Sequence, residues 1–199
     1  MATYATPAII IGRHNFGEAD RVMVLLTPER GVIRCVAKGV RRIKSRLAGH
    51  LELFSESQLM LAEGRNMDII TSARLIRHVA VGDDYDRMRL AYLFAEMTNR
   101  LGGDSEHQEG LFALLQEAYK ALVKDGASSL LELWFKLRLL DRLGYRPELE
   151  VCVRCGVSGA GHEYLFASEV GGIVDSGCRQ LGDQPMTHDQ IKLWRLILG

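Results

Sequence analysis

Residues 31–54 read GVIRCVAKGVRRIKSRLAGHLELF. The first part, Val32 to Ala37, is β-branched and alternating, which predicts a strand. Lys38, Arg41, Arg42, Lys44 and Arg46 then put five cations into nine residues. Gly39 and Gly49 bracket them and let the chain turn sharply on either side. From Leu51 and Leu53 another strand is expected, over about 51–62 (LELFSESQLMLA). A cationic loop between two strands holds point charges and guanidinium forks in a fixed place, which suits a phosphate backbone. A solvated basic face is the plain alternative. The charge distribution favours the first reading. Residues 1–50 hold nine Lys/Arg against three Asp/Glu, a net of +6, and the other 149 hold 16 against 22, a net of −6. The formal total of zero conceals a polar molecule, and a self-repelling loop calls for an acidic partner.

Upstream, residues 6–14 (TPAIIIGRH) predict a first strand with a bulge or bend near Gly12. The turn NFGEAD (15–20) follows, then a strand over 21–27 (RVMVLLT) closed by the turn Pro28–Gly31. Downstream, Glu63-Gly64-Arg65-Asn66 turns the chain into a fifth strand from Met67 to about Ser72. Beyond Ser72 a strand and a short helix are both compatible with the pattern. Five strands with short turns in about 80 residues describe a small barrel, either an OB-fold or an SH3-like one.

From Asp83 the apolar period changes from two to 3.6. Residues 84–101 place Tyr85, Met88, Tyr92, Leu93, Met97 and Leu101 on one side of a helix ended by Gly102-Gly103. Residues 107–124 repeat the pattern with Leu111, Leu114, Leu115, Ala118 and Leu122. A third helix is expected from Ser129, with Ser129-x-x-Glu132 as a capping box and Leu130, Leu133, Trp134, Leu137, Leu140 and Leu143 as its apolar set. A last helix opens at Thr187-x-x-Gln190 and carries Ile191, Trp194 and Ile197. These stripes read as interior packing between helices. The helix ends abruptly at Gly199, so the chain is expected to be shortened at its C-terminus.

Between the last two helices, Cys152-Val153-Arg154-Cys155 and Asp175-Ser176-Gly177-Cys178 give the spacing C-x2-C-x19-D-x2-C. That is a zinc-ribbon pattern with a carboxylate in one ligand position. Cys152, Cys155, Asp175 and Cys178 are the expected ligands of a structural zinc; a knuckle that keeps the fold without metal is the alternative. His162 could stand in for Asp175, at a less helpful spacing. A redox role for the Cys152/Cys155 pair lacks its strand–helix–strand context. Cys35, alone in a strand, reads as a small core residue.

Size and motifs bound the rest. A chain of 199 residues, 47% hydrophobic, can bury one large core or two modest ones. Its N-terminus has no basic region ahead of an apolar run, and no apolar stretch approaches the ~20 residues that span a bilayer. A cytoplasmic protein is expected. There is no Gly-x-x-x-x-Gly-Lys-Ser/Thr loop, Gly-x-Ser-x-Gly elbow or His-Glu-x-x-His. His14, His50, His78, His107, His162 and His188 are scattered, and Asp83, Asp84 and Asp86 suit a helix start. No catalytic residue, and no enzyme, is expected.

Phe16-Gly17-Glu18-x-Asp20, Leu26-Thr27-x3-Gly31, Ala37-Lys38-Gly39-Val40-Arg41-Arg42-x-Lys44-Ser45-Arg46-Leu47 and Leu51-x-Leu53-Phe54 resemble the N-terminal domain of the bacterial recombination-repair family RecO. The order of the whole chain is similar too. The resemblance implies an α+β protein with a five-stranded OB-fold barrel over 1–80 that binds nucleic acid. An α-helical domain over 81–199 would carry a zinc-finger-like insert at about 149–182. Asp175 stands where many members carry cysteine, and members usually extend further at the C-terminus. The implied role is non-catalytic: binding single- and double-stranded DNA, annealing complementary strands and, with RecR, assisting RecA loading onto strands coated by single-stranded-DNA-binding protein, whose acidic tail is docked. Such a protein would be cytoplasmic, nucleoid-associated and free of membranes.

Arg34, Lys38, Arg41, Arg42, Lys44 and Arg46 are then the expected DNA contacts. About five of them on a single strand give a log–log salt slope of about −3.5, roughly a hundredfold loss of affinity between 50 and 200 mM salt. Tyr4, Phe16 and Phe54 are the barrel's candidate stacking residues, so backbone-dominated, sequence-indifferent binding is expected. A second reading is an adaptor that grips an acidic peptide near Lys136, Arg138, Arg142 or Arg146.

Overall fold

A computed structural model describes residues 2–103, 110–158 and 163–199. They fall into two compact units, Met1–Phe135 and Lys136–Gly199. The first opens with five strands: β1 (Thr3–Phe16), β2 (Asp20–Thr27), β3 (Gly31–Ala37), β4 (Glu56–Ala62) and β5 (Asp68–Arg77). They close into a barrel in the order β1-β2-β3-β5-β4, with β4 returning to pair with β1. All neighbours are antiparallel except β3 and β5, which run parallel through Cys35–Asp68 and Val36–Ile69. This closed five-stranded barrel is OB-like. The expected bulge is present, because the β1–β2 register slips between Ile10 and Gly12.

Alternation explains the barrel's filling. Ala8, Ile10, Met23, Leu25, Cys35, Ala37, Leu59, Leu61 and Ile70 point into one core cluster. The intervening Ile9, Val24, Leu26 and Val32 are buried as well, so β1 and β2 are covered on both faces and read as continuous apolar runs. β1 packs against helix α1 (Tyr85–Leu101).

Strand boundaries differ from expectation at β1, which spans Thr3–Phe16 where 6–14 was expected, and further along the barrel. β4 begins at Glu56, not at Leu51, and a 3-10 turn at Ala48–His50 precedes it. Leu51 is buried in the barrel core and Leu53 packs on it, so their alternation reflects burial without a ladder. Phe54 breaks the strand at φ 66°. Its N–H donates to the Ile10 carbonyl (2.8 Å), and the Ile10 N–H donates to the Ser55 carbonyl (2.9 Å). The stretch after Ser72, open between strand and helix, is strand to Arg77.

α1 turns its other side inward: Leu90, Ala91, Phe94, Ala95 and Thr98 are buried, while Tyr85, Met88, Tyr92 and Leu101 are exposed. Small residues at 91 and 95 let the neighbouring chain approach closely, which size alone does not reveal. Helix α2 (Leu111–Asp125) buries the expected set plus Tyr119; residues 107–109 of the expected helix lie outside the described residues. Helix α3 (Ser129–Arg142) is capped one residue earlier than expected, by the Ser128 hydroxyl accepting from the Leu131 N–H (3.1 Å). Its buried residues include Phe135, Leu137 and Leu139, and Leu130 is exposed.

The second unit contains β6 (Tyr164–Ala167), β7 (Gly172–Asp175) and β8 (Gln184–Met186) in the order β7-β6-β8, followed by helix α4 (His188–Leu198). None of these short strands was expected. The Thr187/Gln190 capping box of α4 is present in both directions, and Trp194 meets Phe166 edge-on at 5.3 Å. Among the described residues no helix is long and apolar enough to cross a membrane.

Candidate nucleic-acid interface and cysteine knuckle

The loop that leaves β3 is structured. Gly39 takes φ +63°, a region that L side chains rarely adopt, and its N–H donates to Asp20 Oδ1 at 2.7 Å. The Arg41 N–H donates to the Ala19 carbonyl (2.9 Å) and its guanidinium to the Gly17 carbonyl (3.3 Å), fastening the loop to the β1–β2 hairpin. Turns follow through Arg42 N–H to Gly39 O (3.1 Å) and Ser45 N–H to Arg42 O (2.9 Å). Val40 is buried in the barrel core and Leu47 packs on it. Apolar anchors therefore hold both ends while the cations between them face solvent.

Arg34, Lys38, Arg41, Arg42, Lys44 and Arg46 are all exposed. Five share this loop, and Arg34 stands on β3 just before it. Among the described residues none of the six forms an ion pair. Three of the barrel's carboxylates pair with other cations: Glu52 with Arg13 (2.7 Å), Asp68 with Arg30 (3.7 Å) and Glu56 with Arg77 (3.9 Å).

The three aromatic residues fare differently. The Tyr4 hydroxyl donates to Asp68 Oδ2 (2.5 Å) and its ring lies under the Arg30 guanidinium at 4.0 Å. Phe54 is buried, edge-on to Tyr92 (4.9 Å) and Tyr119 (5.8 Å). Only Phe16 offers an open ring, at 53% exposure.

In the second unit, the sulfurs of Cys152, Cys155 and Cys178 lie within 4.8 Å of one another, and all are free thiols. Cys152 is buried in a small core with Leu165, Ala167 and Val174. Burial works to raise its thiol, but backbone N–H groups, first that of Asp175, outweigh it and bring the group down to about 7. The Asp175 N–H lies 3.4 Å from Cys152 Sγ. Bonding to Cys155, with burial, holds Cys178 at about 11. Three gathered soft donors, one of them predisposed to ionise, fit a thiophilic metal ion. Asp175 is placed differently: its Oδ1 accepts from the Gly177 N–H (2.8 Å), capping the 3-10 turn Ser176–Cys178, and it is not among the gathered donors. His162 lies outside the described residues.

One pair here escaped the sequence reading. Arg154, inside the Cys152–Cys155 step, donates to both oxygens of Asp183 and to the Cys178 carbonyl (2.7 Å). The Arg154 fork, aided by the Gln180 N–H, holds the nearly buried Asp183 carboxyl below its ordinary range. The place of Arg154 between two of the gathered cysteines was the available signal. Of the proposed peptide contacts, Arg138 and Arg142 are four residues apart on one face of α3, and Lys136 lies on another. Arg146 pairs with Asp141 at 3.4 Å.

The comparisons with known proteins agree along the whole chain. The family model described as recombination protein O N terminal matches residues 1–79, and the one described as recombination protein O C terminal matches residues 82–199. A DNA repair protein RecO of Roseiflexus sp. is 42% identical over 197 residues, covering 98% of this chain and 69% of that protein. Its namesake in Nocardioides sp. is 37% identical over 202 residues, covering 98% and 82%. The Heliobacterium modesticaldum protein of that name is 38% identical over 184 residues, covering 90% and 67%. With an OB-like barrel first, helices next and a cysteine knuckle after them, matched by both halves of one family, the chain belongs to the recombination protein O (RecO) family.

Proposed function

We propose that this protein is a non-catalytic mediator of DNA repair and homologous recombination. It binds single- and double-stranded DNA through the basic end of the barrel, anneals complementary strands and, with RecR, assists RecA loading onto strands coated by single-stranded-DNA-binding protein. Six exposed cations on an OB-like barrel, none of them ion-paired among the described residues, carry this reading. Arg34, Lys38, Arg41, Arg42, Lys44 and Arg46 neutralise phosphates, lower the repulsion between two strands and leave base edges free to pair. Arg138 and Arg142, sharing a face, receive the acidic tail of the single-stranded-DNA-binding protein, and Lys136 and Arg146 are the further contacts of this reading. The domain boundary of this reading is near residue 80, with the zinc-finger-like insert at about 149–182.

The cysteine knuckle holds a structural zinc on Cys152, Cys155 and Cys178. Asp175, whose Oδ1 accepts from the Gly177 N–H, would be the fourth ligand of this reading. Elemental analysis of the purified protein tests this: a zinc-to-protein ratio near zero retires the metal, and a full ratio in Asp175→Ala removes Asp175 from the ligand set.

The DNA reading is tested by changing Arg41, Arg42 and Lys44 together to Glu. Oligonucleotide affinity at moderate salt should fall by at least tenfold, the log–log salt slope should become shallower, and annealing should slow. Unchanged affinity would show that the loop does not hold DNA.

A further inference from the structure

Ile43 is fully exposed at the tip of the cationic loop. A lone exposed aliphatic residue is ordinary on a protein surface; the company of this one is not. Arg41 and Arg42 precede it, Lys44 and Arg46 follow, and all four are exposed. The turn bonds through Arg42 and Ser45, with Val40 and Leu47 anchored below, fix the backbone on both sides of it. A β-branched side chain on such a turn has few rotamers to lose on binding.

A second uncovered apolar group stands on the adjoining loop. Phe16 ends β1, and the two residues that receive Arg41, Gly17 and Ala19, lie just beyond it in the hairpin turn. The Gly39–Asp20 bond ties the same two loops a second time. A half-exposed ring and a fully exposed isoleucine therefore sit on two mutually bonded loops, among guanidinium and ammonium groups that keep other hydrophobic partners at a distance. A ligand that satisfies both sets of groups must alternate anionic and flat apolar parts. An unpaired nucleic-acid strand has that chemistry.

We propose that Phe16 and Ile43 contact the unpaired bases of a strand whose phosphates the loop cations hold: the ring stacks on one base, and the isoleucine wedges against the neighbouring face. The inference rests on the DNA reading of the loop and adds a contact that phosphates cannot make. Every base has a π-face, so the contact tolerates any sequence. In a duplex the same wedge must first unstack a base step, which weakens binding there. The pair thus biases the barrel toward single strands, and its contribution does not depend on salt.

The test compares three ligands of equal length across a salt titration: an oligothymidylate, a fully abasic oligonucleotide that keeps the phosphates, and a duplex. Phe16→Ala/Ile43→Ser should lose about tenfold on oligothymidylate. It should be unchanged on the abasic chain and keep the wild-type salt slope. Both positions are exposed, and matching thermal melts confirm the fold. Phe16→Trp adds an independent signal: its fluorescence should be quenched by oligothymidylate and not by the abasic chain. Equal binding of oligothymidylate by wild type and double variant, or an equal loss on the abasic chain, overturns the base contact and leaves the cation reading standing. Indifference of all three ligands to the Arg41/Arg42/Lys44 reversal overturns both.

Discussion

Arg154 and Asp183 are joined by a two-pronged ion pair, Nη1 to Oδ2 at 2.5 Å and Nη2 to Oδ1 at 2.9 Å. One prong also reaches the Cys178 carbonyl. A residue lodged between the first two cysteines thus grips the chain at the third and again at Asp183 beyond it. Cutting the fork should loosen the ligand set without touching a sulfur. Arg154→Met and Asp183→Asn should each weaken zinc binding by about tenfold or more, read as faster transfer to a colorimetric chelator. Arg154→Lys should restore little, because an ammonium has no fork. Wild-type transfer rates in all three would show that the pair does not support the site.

Phe54 combines a costly backbone with a valuable ring. Its φ of 66° is disfavoured for any side chain, by about 1–2 kcal/mol. The ring's buried contacts with Tyr92 and Tyr119 are worth more, since truncating a core phenylalanine costs about 3–5 kcal/mol. Both Phe54→Ala and Phe54→Gly should destabilise the barrel unit. Glycine should be the milder by about 1 kcal/mol, the reverse of their usual order. Urea midpoints of the two variants decide it; an alanine variant at least as stable as the glycine one would refute the strain.

A buried thiol and a partly buried phenol in the barrel make it sensitive to alkali. Burial, with the Asp68 charge nearby, pushes the Cys35 thiol up to about 12. Burial and the bond to Asp68 raise the Tyr4 hydroxyl as well. In the unfolded chain both give up their protons near their ordinary values, while the folded state keeps them. The unfolded state therefore binds fewer protons, and stability falls as pH rises from about 9 to about 12. The slope is at most about 1.4 kcal/mol per pH unit for each group. Cys35→Ala should flatten this limb, on top of a pH-independent loss of about 1 kcal/mol from the small cavity it leaves. Denaturant midpoints at pH 7, 10 and 11 measure it; equal slopes for wild type and variant would exclude Cys35 as a cause.

Local signals were legible in the sequence and tertiary ones were not. β2, β3 and α4 announce themselves through alternation, turn residues and a capping box, all within a few positions. The cysteine cluster is legible for the same reason, because two ligands sit on one turn. Leu51 and Leu53 mislead, since alternate burial imitates a strand where the hydrogen bonds of Phe54 and Ser55 run to Ile10. α1 misleads through size: Tyr85, Met88 and Tyr92 suggest an inner face, while the buried one is built on Leu90, Phe94 and two alanines. Arg154 and Asp183 are 29 residues apart, and no periodicity links them. The exposure of Ile43 was equally hidden, because residue type alone does not say whether an isoleucine in a loop is covered.

The barrel's closure has a consequence for how it opens. Every other seam is an antiparallel ladder of seven paired positions, whereas β3 meets β5 through two. Those two pairs join segments more than 30 residues apart, with the cationic loop in the chain between them. Fluctuations should part this seam first, exposing the Cys35 edge to deuterium while the β1–β2 amides stay protected.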